Sequence, residues 1–137
     1  MSEELRLDHR PELRRPVLIC AFKGWNDGGQ GASLAASFLQ RIWAAEHFAD
    51  IDPEEFFDFT QTRPQVSLVD GLTRRIDWPS NSFYAARLPF GDRDAILLLG
   101  SEPSLRWRSF CEIVTNLATD LGVELVISLG SLLADVP

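Results

Sequence analysis

Phe22-Lys23-Gly24-Trp25-Asn26-Asp27-Gly28-Gly29-Gln30-Gly31-Ala32-Ser33 is the stretch on which the reading of this chain turns. An apolar, β-rich run at residues 16–22 enters it, and a helical apolar pattern leaves it near Gln30. It therefore reads as a strand end, a glycine turn and a helix start. Gly28, Gly29 and Gly31 permit positive φ and close approach by another backbone or a ligand. Asn26 and Asp27 are placed to accept the free N–H groups of the helix start.

Working outward, residues 16–23 form a continuous apolar strand of the kind covered on both faces in a parallel sheet. Over residues 30–48 the apolar positions Leu34, Ala35, Phe38, Leu39, Ile42, Trp43 and Ala45 recur at helical spacing and predict a wide buried stripe. His47 then suits the carboxyl end of that helix as a cap. Residues 56–60 read as a second strand carrying Phe56 and Phe57 inward. Asp70-Gly71 marks a hairpin, and residues 82–88 give another strand. Regular alternation resumes with a buried strand at 94–100. Glu102-Pro103 opens a helix over 105–121, whose face is Phe110, Ile113, Val114, Leu117, Ala118 and Leu121. Gly122 stops that helix, and residues 123–129 form a third parallel-type strand.

This pattern predicts an α/β chain with three α/β/α layers, a largely parallel central sheet and a β-hairpin excursion. Residues 1–15 read as an exposed N-terminal arm with room for a short pairing segment. Residues 16–137 read as the N-terminal part of a single domain, truncated at its C-terminal end, because an apolar strand is followed by no covering helix.

Gly24-Trp25-Asn26-Asp27-Gly28 occurs in order with Arg63-Pro64, Asp77-Trp78-Pro79, Gly100-Ser101-Glu102-Pro103, Arg106-Trp107-Arg108 and Leu129-Gly130-Ser131-Leu132-Leu133-Ala134-Asp135-Val136-Pro137. Together these motifs resemble the proteasome assembly chaperone 2 (PAC2) family, in its uncharacterised actinobacterial branch, over residues 16–137. The resemblance implies a phosphorylase/hydrolase-like three-layer fold and a homo-oligomer, with a trimer favoured. It also implies a chaperone-type, non-catalytic role without a cofactor, and protein partners with proteasome α subunits among them. The competing reading is a nucleotide- or nucleoside-binding enzyme, ATP-grasp-like or phosphorylase-like, acting at the strand-end crevice.

Composition narrows the classes further. A chain of 137 residues, 45% hydrophobic and 24% charged, has the make-up of one globular domain. Its net charge of −7 argues against nucleic acid and anionic membranes, both of which need a basic face. Its apolar runs are far shorter than the roughly 20 residues that cross a bilayer, and no basic leader precedes an apolar core, so the reading places it in the cytoplasm. Cys20 and Cys111 lie far apart in a strand and a helix pattern, which predicts two buried free thiols.

In open α/β sheets the carboxyl ends of parallel strands form the ligand crevice. Three such ends carry Gly24, Trp25, Asn26, Asp27, Gly28, Glu102, Arg106, Gly130 and Asp135, which are the candidate ligand- or partner-binding residues. A phosphate cradle fits poorly, since Gly28-Gly29-Gln30-Gly31 matches neither nucleotide fingerprint and Asp27 would repel a phosphate. Asp27, Glu102 and Asp135 are weighed as a Mg²⁺ cluster against separate capping and turn roles, the latter favoured. No catalytic residue or metal ligand is assigned. His9 and His47 are not placed near Ser33, Ser101 or Ser131, as a hydrolytic triad would need. Trp25, Trp78 and Trp107 with Arg106 and Arg108 suggest a surface that meets protein, since Trp and Arg are enriched among interface anchors.

Overall fold

The apolar run entering the glycine stretch becomes β2 (Val17–Lys23), which is flanked on both edges by parallel neighbours. These are β7 (Ala95–Ser101) and β8 (Leu125–Leu129), with Leu18 opposite both Ile96 and Val126. The computed structural model describes residues 3–135; Met1 and Ser2 of the arm, and Val136 and Pro137 of the last motif, lie outside the described residues.

Beyond β7 the sheet turns antiparallel through β6 (Asn81–Ala86), β3 (Glu46–Ile51) and β1 (Leu5–Leu7), in the order β1-β3-β6-β7-β2-β8. Of its five pairings, β1 with β3, β3 with β6 and β6 with β7 are antiparallel. The expected α/β fold is present, but the central sheet is mixed where a largely parallel one was expected. The reason is connectivity: a parallel neighbour needs a crossover, usually a helix, and no helix of that length lies between β3 and β7. The arm is also not wholly exposed, because β1 pairs with β3 and buries Leu5.

The two helices cover opposite faces. Helix α2 (Trp107–Asp120) packs Phe110, Ile113, Leu117 and Ala118 against Leu18, Cys20, Ile96 and Leu98. Phe48, Phe56 and Phe83 complete this larger core, each contributing about 2 kcal/mol by burial. Gly122, at φ +78°, ends α2 as expected. Helix α1 (Gly31–Ile42) instead meets the sheet through Ala32 and Ala36 against Ala21. Its large apolar side chains Leu34, Phe38 and Ile42 are exposed, so the predicted buried stripe is corrected to one of small residues, which lets the helix lie close to β2.

Three further expectations change. The first helix ends at Ile42, because Ala44 adopts φ +48° and reverses the chain into β3. His47 therefore caps no helix; it sits in β3 with Nε2 2.9 Å from Asp50 and Nδ1 3.3 Å from Asp8. Phe56 and Phe57 are buried as predicted, but they follow a 3-10 turn at Pro53–Glu55, whose Glu54 N–H donates to Asp52, and they form no strand. The excursion is a separate ribbon of β4 (Gln65–Val69) and β5 (Thr73–Asp77), closed at Asp70 and Gly71, both at positive φ.

Asp94 ties the arm to this frame. Its carboxylate is 1% exposed and accepts from the Arg14 guanidinium at 2.8 Å, the Arg14 N–H at 2.7 Å and the Leu88 N–H at 3.0 Å. The Arg14 side chain is the main cause that draws its pKa down to about 2.

Both cysteines are free, yet Cys111 is exposed where a buried thiol was expected, while Cys20 is buried and its thiol is pushed up to about 11 by burial. A disulfide-exchange reagent at pH 8 should therefore modify Cys111 at least about tenfold faster than Cys20, since the thiolate is the reacting form. Fast modification of the Cys111→Ser variant under native conditions would contradict this packing.

Candidate functional site

The ends of β2, β7 and β8 meet at one rim, and Asp27 is the centre of its hydrogen bonding. Asp27 is buried and forms a parallel bridge with Ser131, so the pairing of β2 with β8 continues into the loops. One carboxylate oxygen accepts from the Ala32 N–H at 2.7 Å and the other from the Ser33 N–H at 2.9 Å. The Ser131 hydroxyl lies 2.6 Å from Asp27 Oδ1. Ser131, then Ser33 and Ala32, hold the Asp27 carboxyl well below the usual range against the opposing effect of burial.

This network explains the helix start. Gln30 precedes α1 in a left-handed conformation and supplies no side-chain cap, so Asp27 serves the free N–H groups of the first turn. It also disposes of the phosphate cradle, because the N–H groups a phosphate would use are already taken by an anion.

Glu102 joins the rim from β7. Its Oε1 accepts the Trp25 N–H at 3.1 Å, and its own N–H donates to Lys23 O at 2.9 Å. Gly24 sits at φ +140°, where an added Cβ would lie 2.4 Å from Glu102 Cδ. Gly130 faces Asn26, whose carbonyl oxygen would be 3.1 Å from an added Cβ, and Ser131 N–H donates to that same oxygen at 3.1 Å. Gly28 returns the contact by donating to Ser131 O at 2.9 Å. Gly24, Trp25, Asn26, Asp27, Gly28, Glu102 and Gly130 are thus brought together.

Arg106 and Asp135 are not part of this arrangement. Arg106 precedes α2 at φ +54°, and its guanidinium is held by Glu55 at 3.0 Å and lies over the Phe56 ring at 5.9 Å. Asp135 is exposed and makes no hydrogen bond or ion pair among the described residues. Asp27, Glu102 and Asp135 do not gather their oxygens into a ligand cluster. Among the described residues that spacing occurs at Asp8, His47 and Asp50, where Arg6, 2.6 Å from Asp50, already supplies a positive charge.

Beside the rim, on the α2 face, runs an apolar groove of about 480 Å³ lined by Phe22, Trp25, Pro103, Trp107, Phe110 and Val114. Trp25 is 93% exposed at its mouth, and Trp107 is 62% exposed, so both indoles present most of their surface to solvent. Leu132 and Leu133 continue the exposed apolar surface past β8. Ser131 and Leu133 could have been suspected only from their place in the last motif.

The sequence profile of the PAC2 family matches residues 21–137, which takes in the rim, the groove and both helices. The chain belongs to the PAC2 family. Among solved structures, this PAC2 chain is similar to a PAC2 family protein from Streptomyces avermitilis, with 47% identity, a TM-score of 0.81, and 89% of this chain and 52% of that one covered. A proteasome-assembly chaperone homologue from Mycobacterium tuberculosis is 41% identical with a TM-score of 0.82, over 88% of this chain and 51% of that one. A protein of unknown function from Corynebacterium glutamicum is 27% identical with a TM-score of 0.84, over 99% of this chain and 52% of that one. The PAC2 chain thus spans about half the length of these structures. No curated protein matches it, and no helix among the described residues is long and apolar enough to cross a membrane.

Proposed function

We propose that this PAC2 chain is a non-catalytic, chaperone-type protein-binding module whose apolar groove receives an apolar segment of a partner protein. The observation that carries the reading is Trp25, a large aromatic held almost wholly in solvent by a loop that Glu102 and Asp27 fix from below. The backbone that carries the indole is fixed before binding, so only side-chain torsions remain to be ordered, and Trp is enriched among interface hot spots. The family and the mycobacterial chaperone homologue support proteasome α subunits as the partner to test.

Binding of purified α subunits to the chain should weaken at least about tenfold in Trp25→Ala and in Trp107→Ala, with melting temperatures unchanged. Equal affinity in both variants, or no association with α subunits, would remove the groove as the contact.

A further inference from the structure

A second concavity lies on the opposite face of the sheet, and polar groups make up about half of its lining. Gln30, Ser33, Ser37 and Gln40 recur at spacings of three, four and three along α1, and all four line a cleft of about 570 Å³. The helix therefore turns the Gln30 and Gln40 amides and the Ser37 hydroxyl toward this cleft, with the Ser33 hydroxyl buried, while leaving Leu34, Phe38 and Ile42 in solvent. Ser82 and Tyr84, alternate residues of β6 and so on one face of the sheet, also line it; Tyr84 adds a hydroxyl, while that of Ser82 is donated to Asp50 at 2.6 Å. The volume falls within the range of about 300–1,000 Å³ typical of small-molecule sites.

Charge makes the cleft specific. Lys23, the last residue of β2, and Arg63, just before β4, both line it. Neither makes an ion pair among the described residues, as is also true of Arg41, Arg74, Arg87 and Arg108, but of these unpaired cations only Lys23 and Arg63 line the cleft. Asp77, the carboxylate in the lining, is already met by Arg75 at 3.0 Å. Two uncommitted cations facing hydroxyl and amide groups, in a chain of net charge −7, are suited to a small anion that also carries hydroxyls. Trp78 adds a half-exposed indole, held edge-on by Phe59 at 5.1 Å, against which a ring can lie.

We propose that this cleft binds a phosphomonoester carried on a hydroxylated ring, with Lys23 and Arg63 meeting the phosphate, the α1 amides and hydroxyls meeting the ring hydroxyls, and Trp78 lying against the ring. This chemistry is shared by sugar phosphates and nucleoside monophosphates. It is independent of the groove around Trp25.

Isothermal titration of the 137-residue chain with ribose 5-phosphate, AMP, ribose and inorganic phosphate tests it. Saturable binding of ribose 5-phosphate or AMP is expected, with ribose and inorganic phosphate each weaker by at least about tenfold. The stronger of the two phosphorylated compounds identifies the source. Lys23→Gln and Arg63→Gln should each weaken that binding about tenfold without moving the melting temperature, and Trp25→Ala should leave it intact. Absence of binding by both phosphorylated compounds, binding unchanged in the Lys23→Gln/Arg63→Gln double variant, or inorganic phosphate binding as tightly as the stronger of the two compounds would overturn the assignment.

Discussion

Gly100→Ala is expected to lower the stability of this PAC2 chain by about 3 kcal/mol, which for a domain of this size is a fall of about 10 °C in melting temperature. Gly100 lies in β7 opposite Asn81 of β6. A Cβ there would sit 2.1 Å from Ser80 O and 2.2 Å from Asn81 Oδ1. The first is backbone, and the second belongs to a side chain that is 1% exposed and anchored by its own donation to Ser101 O at 2.9 Å. Neither neighbour can swing away, so relief requires β6 and β7 to separate locally. The φ of Gly100 is not in the region that only glycine favours, so the cost is steric. Gly31→Ala provides the contrast: its φ is −62°, its nearest neighbour would be Ser131 at an ordinary 3.4 Å, and alanine is the better helix former. That variant should be as stable as the parent or more so. Calorimetry showing both substitutions within about 2 °C of the parent would mean that β6 does not press on Gly100 as described.

The same strand pair shows where the sequence was legible. Strands β2, β7 and β8 are largely apolar, and α2 has one broad apolar face, so period and composition identify them. The antiparallel half is harder to read. β3 begins after residues with helix-forming tendency, and only its pairing with β6 and the reversal at Ala44 pull Glu46 and His47 out of the helix. Phe56 and Phe57 are apolar enough for a strand, but a turn capped by Asp52 buries them equally well. In α1 the pattern marked a helix correctly but assigned the wrong face, because hydrophobicity does not reveal that close approach to β2 favours alanine over leucine. At the rim, the glycines and Asp27 stood out locally. Ser131, 104 residues further on, completes the Asp27 network and gives no local signal. Arg106 looked like a rim residue by sequence distance, yet its left-handed backbone turns it to Glu55.

Removing the Asp27 carboxylate tests whether the rim is one structural unit. Asp27→Ala leaves the Ala32 and Ser33 N–H groups without their acceptor and takes away one of the two acceptors of the Ser131 hydroxyl, leaving it Gly28 O at 2.6 Å, so the start of α1 and the link to β8 loosen together. At pH 7 the melting temperature should fall on the order of 10 °C. The pH dependence identifies the cause. Asp27 titrates below the usual carboxylate range in the folded chain, so its contribution is fully present above the unfolded value of about 4 and is lost as pH falls below it. The gap between parent and variant should therefore hold down to about pH 4 and narrow steadily from there to about pH 3 and below. Asp94, drawn down to about 2, adds acid sensitivity common to both proteins and cancels in the difference. Ser131→Ala should reproduce part of the loss at pH 7, because it removes one of the bonds that depress Asp27 and leaves the two N–H bonds in place. A gap between parent and Asp27→Ala that stays constant from pH 7 to pH 3 would show that the carboxylate's charge plays no part, leaving side-chain volume as the cause.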